Sequence, residues 1–515
     1  MTRIVSNRVA ALLSAGTGVL YFAAFPGIEF WPLAFLAFVP LLIALRGRTP
    51  VLGFWLASLA GFTMNMLGFY WLLGMLETFS GFPTAICLLL MSILCLYQGF
   101  RIGSIGWLYC RAERCGWSAQ FAFVGAFAAS ELLFPVLFPW FFGATVHQVP
   151  LLLQTADLGG PILVGLVIVA VNFVIAEPII AWLEQRPILR RRMAMSLGFV
   201  ALALAYGGVR IWQVDAAVAG APKARVGLVQ ANMSLMGKRR ELAEGLRRHL
   251  TLTEELKSRG PLDLVVWSET SVMRAVDESE LATQVPEQVS RRIGVPAIFG
   301  AVLIRPVGGP RQYFAFNTAL ASDADGAIRG RYDKQFLVTF SEYIPFGDSL
   351  PILYEWSPNS GRFSPGTSIE PLTVADHRVA TIICYEDLSP GFVNRMFRHK
   401  NAELLVNITN DAWFGDTIEP YQHFALSKLR AVEQRRFFVR STNSGVSAFV
   451  DPVGRTLSQT ETFKQQHLDH DIAWLRGTTA YRLFGEWLTW LLAATGVLAA
   501  FVSRAKLLRL LPQRT

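Results

Sequence analysis

Charge is scarce in this chain. Only 17% of its 515 residues are Asp, Glu, Lys or Arg, while 52% are hydrophobic; an average soluble domain carries about 25% charged residues. That excludes a disordered chain and argues against an ordinary cytosolic enzyme. Histidine and cysteine are rare, seven and five residues, without CxxC or HxxxH spacing. There is therefore no metal-site signal, and no cofactor is expected. The net charge of +9 would suit a nucleic-acid partner if it lay on a polar surface, but it does not. Residues 1–212 and 481–515 carry 17 Lys/Arg against 8 Asp/Glu, whereas residues 213–480 carry 30 of each. The excess belongs to the apolar part, where it reads as membrane orientation. The neutral middle offers no basic field for DNA or RNA.

What is abundant is apolar sequence, with a mean hydropathy of +0.38. Nearly charge-free runs at 9–25, 30–45, 51–76, 83–109, 117–142, 160–183 and 193–212, and one more near 483–503, predict eight transmembrane helices, a span needing about 20 apolar residues. Alternate short loops hold Arg3, Arg8, Arg46, Arg48, Arg111, Arg114, Arg186, Arg190, Arg191, Arg192, Arg504, Lys506, Arg509 and Arg514. The opposite loops 26–29, 77–82 and 143–159 hold no Lys or Arg. This bias places both termini in the cytoplasm and the block between the seventh and eighth spans outside. The first run, preceded by Arg3 and Arg8, is read as an uncleaved span because a second follows at once. Arg101 falls inside the fourth run and is expected to snorkel or face protein. The charge-free stretch 132–156, with three prolines, suggests a re-entrant segment holding Trp140, Phe141 and Phe142 at headgroup level. The expected organisation is seven spans in 1–212, a linker at 213–222, an outer domain at 223–480, and an eighth span with a cytoplasmic tail at 481–515.

The outer block has another texture. Ala224–Val229, Leu262–Trp267, Ala297–Ile304, Val379–Cys384 and Glu403–Ile408 read as strands. Gly237–Arg259, Ser389–His399 and Tyr421–Arg436 read as helices. The alternation predicts a layered α/β domain. Cys384 is the one cysteine of this block and has no disulfide partner in it. It ends an apolar strand, and Tyr385, Glu386 and Asp387 follow. A strand end exposes one reactive atom on a rigid frame. LDLVVWSET has the same form and ends near Glu269. GRYDKQFLVTFSEYIPFG, after the Phe316–Ser322 strand, places Lys334 and Glu342 in a loop. A thiol, a carboxylate and an ammonium make chemical sense together. The carboxylate can take the thiol proton, and the ammonium can stabilise thiolate and oxyanion. A cysteine nucleophile implies a thioester, hence acyl transfer or hydrolysis of an amide or nitrile.

The order WSET, YDKQFLVTFSEYIPFG, ICYED resembles the carbon–nitrogen hydrolase (nitrilase) superfamily. VQAN (229–232), NITNDAWFG (407–415) and RAVEQRRFFVRSTNSGVSA (430–448), with the flanking apolar runs, narrow the resemblance to the bacterial apolipoprotein N-acyltransferases over nearly the full length. The resemblance implies an extracytoplasmic α-β-β-α sandwich on the periplasmic side of the inner membrane. It implies a ping-pong reaction in which Cys384 takes an acyl chain from a phospholipid, typically phosphatidylethanolamine. The chain then passes to the α-amine of a diacylglyceryl-cysteine at an apolipoprotein N-terminus. It further implies that Glu269 is the general base and Lys334 the stabiliser of the tetrahedral intermediate. Glu342, Tyr385 and Glu386 then support or gate the site, and Trp413 lies in the matching loop. The apolar stretch Phe336–Trp356 is expected to be a lid that dips into the bilayer. Two alternatives stand beside this reading: a membrane-tethered amidase or nitrilase acting on a small amide, and a non-enzymatic transporter or scaffold in which Cys384 is an inert core thiol.

Overall fold

The computed structural model describes residues 4–234, 241–307, 313–357, 360–398, 400–505 and 507. Arg3, Lys506, Arg509 and Arg514 lie outside the described residues, as do His399 and part of the 237–259 stretch. The chain divides into two compact units. One comprises Met1–Leu73, Thr84–Ile211 and Phe484–Thr515, and the other Gly74–Pro83 and Trp212–Leu483.

The first unit is helical. Among the described residues, four helices are long and apolar enough to cross a membrane: Pro50–Gly68, Thr84–Arg114, Ala156–Leu183 and Arg190–Gly220. The other apolar runs give shorter helices, Asn7–Ala23, Val39–Leu45, Ala119–Leu133 and Trp487–Phe501, for local reasons. Pro32 and Pro40 each open a new segment, a 3-10 turn at Trp31–Phe35 and then Val39–Leu45, so the run 30–45 is split. Helix Ala156–Leu183 is interrupted at Gly159 and Gly160, the latter at φ 76°, just before Pro161. Close helix approach uses missing side chains: a Cβ on Gly61 would lie 2.6 Å from the Gly99 carbonyl oxygen, the small-residue packing of lipid-embedded helices.

Helix Arg190–Gly220 runs through the stretch 213–220 of the expected linker. Its sequence QVDAAVAG is rich in alanine, and the helix stops only at Gly220, ahead of Pro222. Trp140 and Phe142 do not face outward but are buried in the protein. Trp140 packs on Phe25 with ring centroids 4.3 Å apart, and Phe142 packs on Tyr21 at 4.7 Å and Phe38 at 5.0 Å, an aromatic cluster within the helical unit. Arg101 faces protein: its Nη1 donates to the Trp140 carbonyl at 2.5 Å and lies 3.6 Å from Glu131 Oε1.

The second unit is built on two sheets. Its strands are β1 (Lys223–Gln230), β2 (Leu264–Trp267), β3 (Val272–Asp277), β4 (Ala297–Pro306), β5 (Tyr313–Ser322), β6 (Ile328–Asp333), β7 (Leu372–Val374), β8 (His377–Ile383), β9 (Leu404–Thr409), β10 (Phe438–Thr442), β11 (Ala448–Val450), β12 (Thr456–Gln459) and β13 (Gln466–Ala473). The first sheet has the order β13-β1-β2-β4-β5-β6, with β3 on β4, and the second β12-β11-β10-β9-β8-β7. Val226, Leu228, Leu264 and Val266 of the first sheet share one core with Ile382, Val406 and Val439 of the second. The opposite face of the first sheet, with Val229, Val265 and Trp267, packs on Leu250 and Leu256 of helix Leu242–Ser258. This alternation along each strand is what a sheet buried on both faces requires. Trp267 fixes the helix by donating from Nε1 to Thr253 Oγ1 at 3.0 Å. Helices Pro390–Phe397 and Glu419–Gln434 pack on the second sheet. The layers run helix, sheet, sheet, helix. All six predicted strands of the outer block are found, displaced at their ends by three residues or fewer, and helices Leu242–Ser258, Pro390–Phe397 and Glu419–Gln434 stand at the three predicted helices.

Candidate active site

Glu269, Lys334 and Cys384 each follow the end of a strand: β2, β6 and β8. β1, β2 and β4 are parallel, as are β8, β9 and β10. Parallel strands deliver such residues to one end of a sheet, where backbone groups not used in the ladder leave room for chemistry. At β2 the chain turns through Thr270 at φ 52°. This turn lies against Gly300 of β4, where a Cβ would come within 2.4 Å of the Thr270 nitrogen. Cys384 itself adopts φ 53°, a left-handed conformation that costs a non-glycine residue about 1–3 kcal/mol and persists only when neighbours impose it. Glu386 imposes it. Its carboxylate accepts from the Ile383 N–H at 2.8 Å, from the Gln335 and Phe336 N–H groups at 2.7 and 3.2 Å, and from Tyr332 Oη at 2.8 Å. Glu386 thus staples the cysteine turn to the segment that carries Lys334. Asn407 Nδ2 adds a bond to the Cys384 carbonyl at 3.2 Å.

The site is closed to water. Cys384, Glu269, Lys334 and Glu342 are all buried. Lys334 Nζ lies 2.8 Å from Glu342 Oε2 and 3.8 Å from Glu269 Oε1. Between the two carboxylates stands Asn317, whose Nδ2 donates to Glu269 Oε1 at 2.6 Å and to Glu342 Oε1 at 2.8 Å. The Lys334 N–H donates to the Asn317 carbonyl at 2.8 Å. Burial works against the Lys334 ammonium, but Glu342, Cys384 and Glu269 outweigh it and hold its pKa above the ordinary lysine range. Burial, followed by the charge of Glu269, pushes the Cys384 thiol well up, while Lys334 pulls it down. The resting sulfur is therefore a thiol beside a carboxylate and a permanent cation. Such a thiol attacks only as its proton leaves for the carboxylate. Burial raises Glu386 to about 7, against its bond from Ile383 N–H and the charge of Lys334.

The remaining expected site residues surround this centre. Glu342 also accepts from the Val338 N–H at 2.8 Å, so it ties the base of the Phe336–Trp356 stretch to Lys334. Beyond that tie, Phe340, Phe346, Leu350 and Trp356 are exposed, Phe346 by 78%, whereas Ile344 is buried. Tyr385 donates to Glu419 and lies over His423, ring centroids 4.6 Å apart. Trp413 stands after β9 in the 3-10 turn Asp411–Phe414 and stacks on Phe79 at 5.1 Å.

A buried ion network beneath the cysteine turn was not foreseen. His423 bonds Asp387 through Nε2 at 2.9 Å and Asp411 through Nδ1 at 3.0 Å, and Arg440 bonds the same two carboxylates at 2.8 and 3.1 Å. Burial and Arg440 press the imidazolium down, but Asp387 and Asp411 prevail and raise His423 to about 9. Asp411, Glu419 and His423 bring donor atoms within 4.8 Å of one another. With both imidazole nitrogens taken and Arg440 in the centre, this grouping reads as an ion-pair network rather than a metal cradle. Asp387 and Asp411 lay in plain view inside ICYED and NITNDAWFG. Arg440 lay within RAVEQRRFFVRSTNSGVSA, but Asn317 and His423 gave no signal, since each is defined by partners distant in sequence.

Residues 225–479 match the carbon–nitrogen hydrolase family model, and residues 17–174 match the apolipoprotein N-acyltransferase N-terminal domain. The apolipoprotein N-acyltransferase of Azotobacter vinelandii is 31% identical, over 95% of this chain and 93% of its own length. The chain belongs to the apolipoprotein N-acyltransferase family. The Geobacter metallireducens member is 29% identical over 96% of this chain and 95% of its own. Among solved structures, Saccharomyces cerevisiae Nit3, of branch 10 of the nitrilase superfamily, aligns with 49% of this chain and 90% of its own at 16% identity and a TM-score of 0.37.

Proposed function

We propose that this family member transfers an acyl chain from a phospholipid, through a thioester on Cys384, to the α-amine of a diacylglyceryl-cysteine at an apolipoprotein N-terminus. The observation that carries the assignment of roles is the buried juxtaposition of Lys334 with two carboxylates beside a thiol whose proton affinity burial raises. Sγ attacks the ester carbonyl as Glu269 takes the thiol proton. The oxyanion collects beside Lys334, and Glu269 returns the proton to the departing glycerol oxygen, releasing a lysophospholipid. The amine then attacks the thioester, gives a proton to Glu269, and expels the thiolate, which recovers that proton. Glu342 and Glu386 hold Lys334 and the cysteine turn in place, Tyr385 and Trp413 border the path of the acyl chain, and phosphatidylethanolamine is the proposed donor. No metal or cofactor enters these steps.

The membrane reading belongs to the same proposal: eight spans, both termini cytoplasmic, and the catalytic unit in the periplasm against the inner membrane. The four long apolar helices found among the described residues and the shorter apolar ones support it, as does the basic bias of one set of loops. The domain division remains 1–212, 213–222, 223–480 and 481–515, with 213–220 as a helical extension. The test is a two-stage assay with purified full chain in bilayers. Lysophospholipid should appear with donor alone in an amount close to one per enzyme, and continue to form only when a diacylglyceryl-peptide with a free N-terminus is added. Steady release of free fatty acid with no acceptor would instead mark a hydrolase.

A further inference from the structure

A hydroxyl beside the nucleophile has no task in the steps above. β8 and β9 run parallel and their pairing ends with Ile383 opposite Ile408, so Cys384 and Thr409 follow at two adjacent strand ends, Cys384 leaving its strand at φ 53°. Thr409 is fully buried; its Oγ1 makes no full hydrogen bond among the described residues, and the sulfur it approaches is that of Cys384, whose thiolate its hydroxyl favours. Its register neighbour on β10, Thr442, is occupied, donating to Gln230 Oε1 at 3.0 Å. Burying a hydroxyl without a strong acceptor is unfavourable, and the Cys384 sulfur is the acceptor at hand, a stronger one once it is a thiolate.

We infer that Thr409 is a positioning residue for the transfer: its Oγ1–H donates to Cys384 Sγ, strongly when the sulfur is a thiolate and weakly when it is a thioester. The inference rests on the reading of Cys384 as nucleophile. The charged and titratable groups around the sulfur are Glu269 after β2, Lys334 after β6, Asp411 after β9, Arg440 on β10, and the adjacent Tyr385. The carboxylates oppose the thiolate, and Lys334 and Arg440 favour it. Thr409 acts with the two cations, but as a neutral dipole, and it orients the lone pairs of the sulfur. Its proton stays on oxygen throughout. The thiol proton still goes to Glu269, and the bonds formed and broken are unchanged.

The test uses the full chain in detergent micelles, with alkylation of Cys384 by iodoacetamide followed peptide by peptide in a mass spectrometer across pH 6–10. Thr409→Val, which keeps the shape and removes the hydroxyl, should move the pH midpoint of alkylation up by about one unit and slow alkylation at neutral pH about tenfold. Thr409→Ser should retain the wild-type profile. If Thr409→Val does not fold, Thr409→Ala takes its place with the same expected shift. Coincident profiles for the wild type and the hydroxyl-less variant would overturn the inference, as would a serine variant that shifts with it. If wild-type Cys384 fails to take an acyl chain from phospholipid, the nucleophile reading fails. If it takes one and the profiles coincide, only the role of Thr409 fails.

Discussion

At the scale of single residues, the site divides the labour among groups that cannot replace one another. A serine hydroxyl has a pKa far above that of a thiol, and one buried carboxylate beside one ammonium would not activate it. Cys384→Ser should therefore fold with the wild-type melting profile and lose transfer to the acceptor peptide; a serine enzyme near wild-type rate would rule out the thioester. Glu269→Gln and Lys334→Ala should each lower turnover at least ~100-fold, the range for losing a general base or an oxyanion partner. Steady-state kinetics check both, and the glutamine variant should also alkylate more slowly at Cys384 at neutral pH. Unchanged alkylation and turnover would reduce Glu269 to a turn residue. Glu269 and Cys384 were legible because each follows an apolar run that reads as a strand, whereas Lys334, read as a loop residue, follows the polar strand β6 and was found through the YDKQF motif. Asn317 was not, although it bonds both Glu269 and Glu342, because an asparagine in a strand acquires meaning only from residues 48 and 25 positions away.

At the scale of elements, helix Glu419–Gln434 departs most from its sequence. Its polar residues suggest a solvated face, yet Lys428, Arg430 and Glu433 are buried with the rest. Arg430 pairs with Glu433 at 2.6 Å, and the Glu433 carbonyl accepts from Thr479 Oγ1 at 2.8 Å, so the segment after β13 covers what would otherwise face water. His423 of this helix is held charged at neutral pH. Its pKa is raised from the ordinary 6.5 to about 9, so its contribution to stability is complete below about 6.5 and is lost as the pH climbs through 9. The melting temperature of the wild type should fall over that window more than that of His423→Gln. Because one partner of a buried network is removed, the variant should be less stable by about 3–5 kcal/mol at neutral pH. Parallel pH profiles for the two proteins would contradict this.

The Phe336–Trp356 stretch is the second element whose use depends on its surroundings. It was recognised from its aromatics, and its exposed rings agree with an arm rather than a core strand. Replacing Phe346 and Trp356 with Asp should leave Cys384 reactive to a small soluble thiol reagent. The same change should block acylation by phospholipid in bilayers, since placing a carboxylate among acyl chains costs several kcal/mol. A short-chain, water-soluble ester should partly restore acylation. Loss of thiol reactivity together with unfolding would make the stretch ordinary core.

At the scale of the whole molecule, the sequence divides into an apolar, positively biased part and a charge-balanced α/β part, and the two compact units follow that division closely. Helix ends were the least legible feature. Glycine pairs, prolines and a run of alanines decide where a helix breaks or continues, and hydropathy averages over all of them. The account joins these two parts in one claim, that lipid supplies the acyl chain and a buried cysteine carries it. Intact mass of the full chain after incubation with phosphatidylethanolamine vesicles, and no acceptor, tests that claim most directly. The account predicts a gain of one acyl chain, located on Cys384 and removable by hydroxylamine. An unchanged mass on protein whose Cys384 still reacts with iodoacetamide, or an acyl chain on another residue, would contradict it.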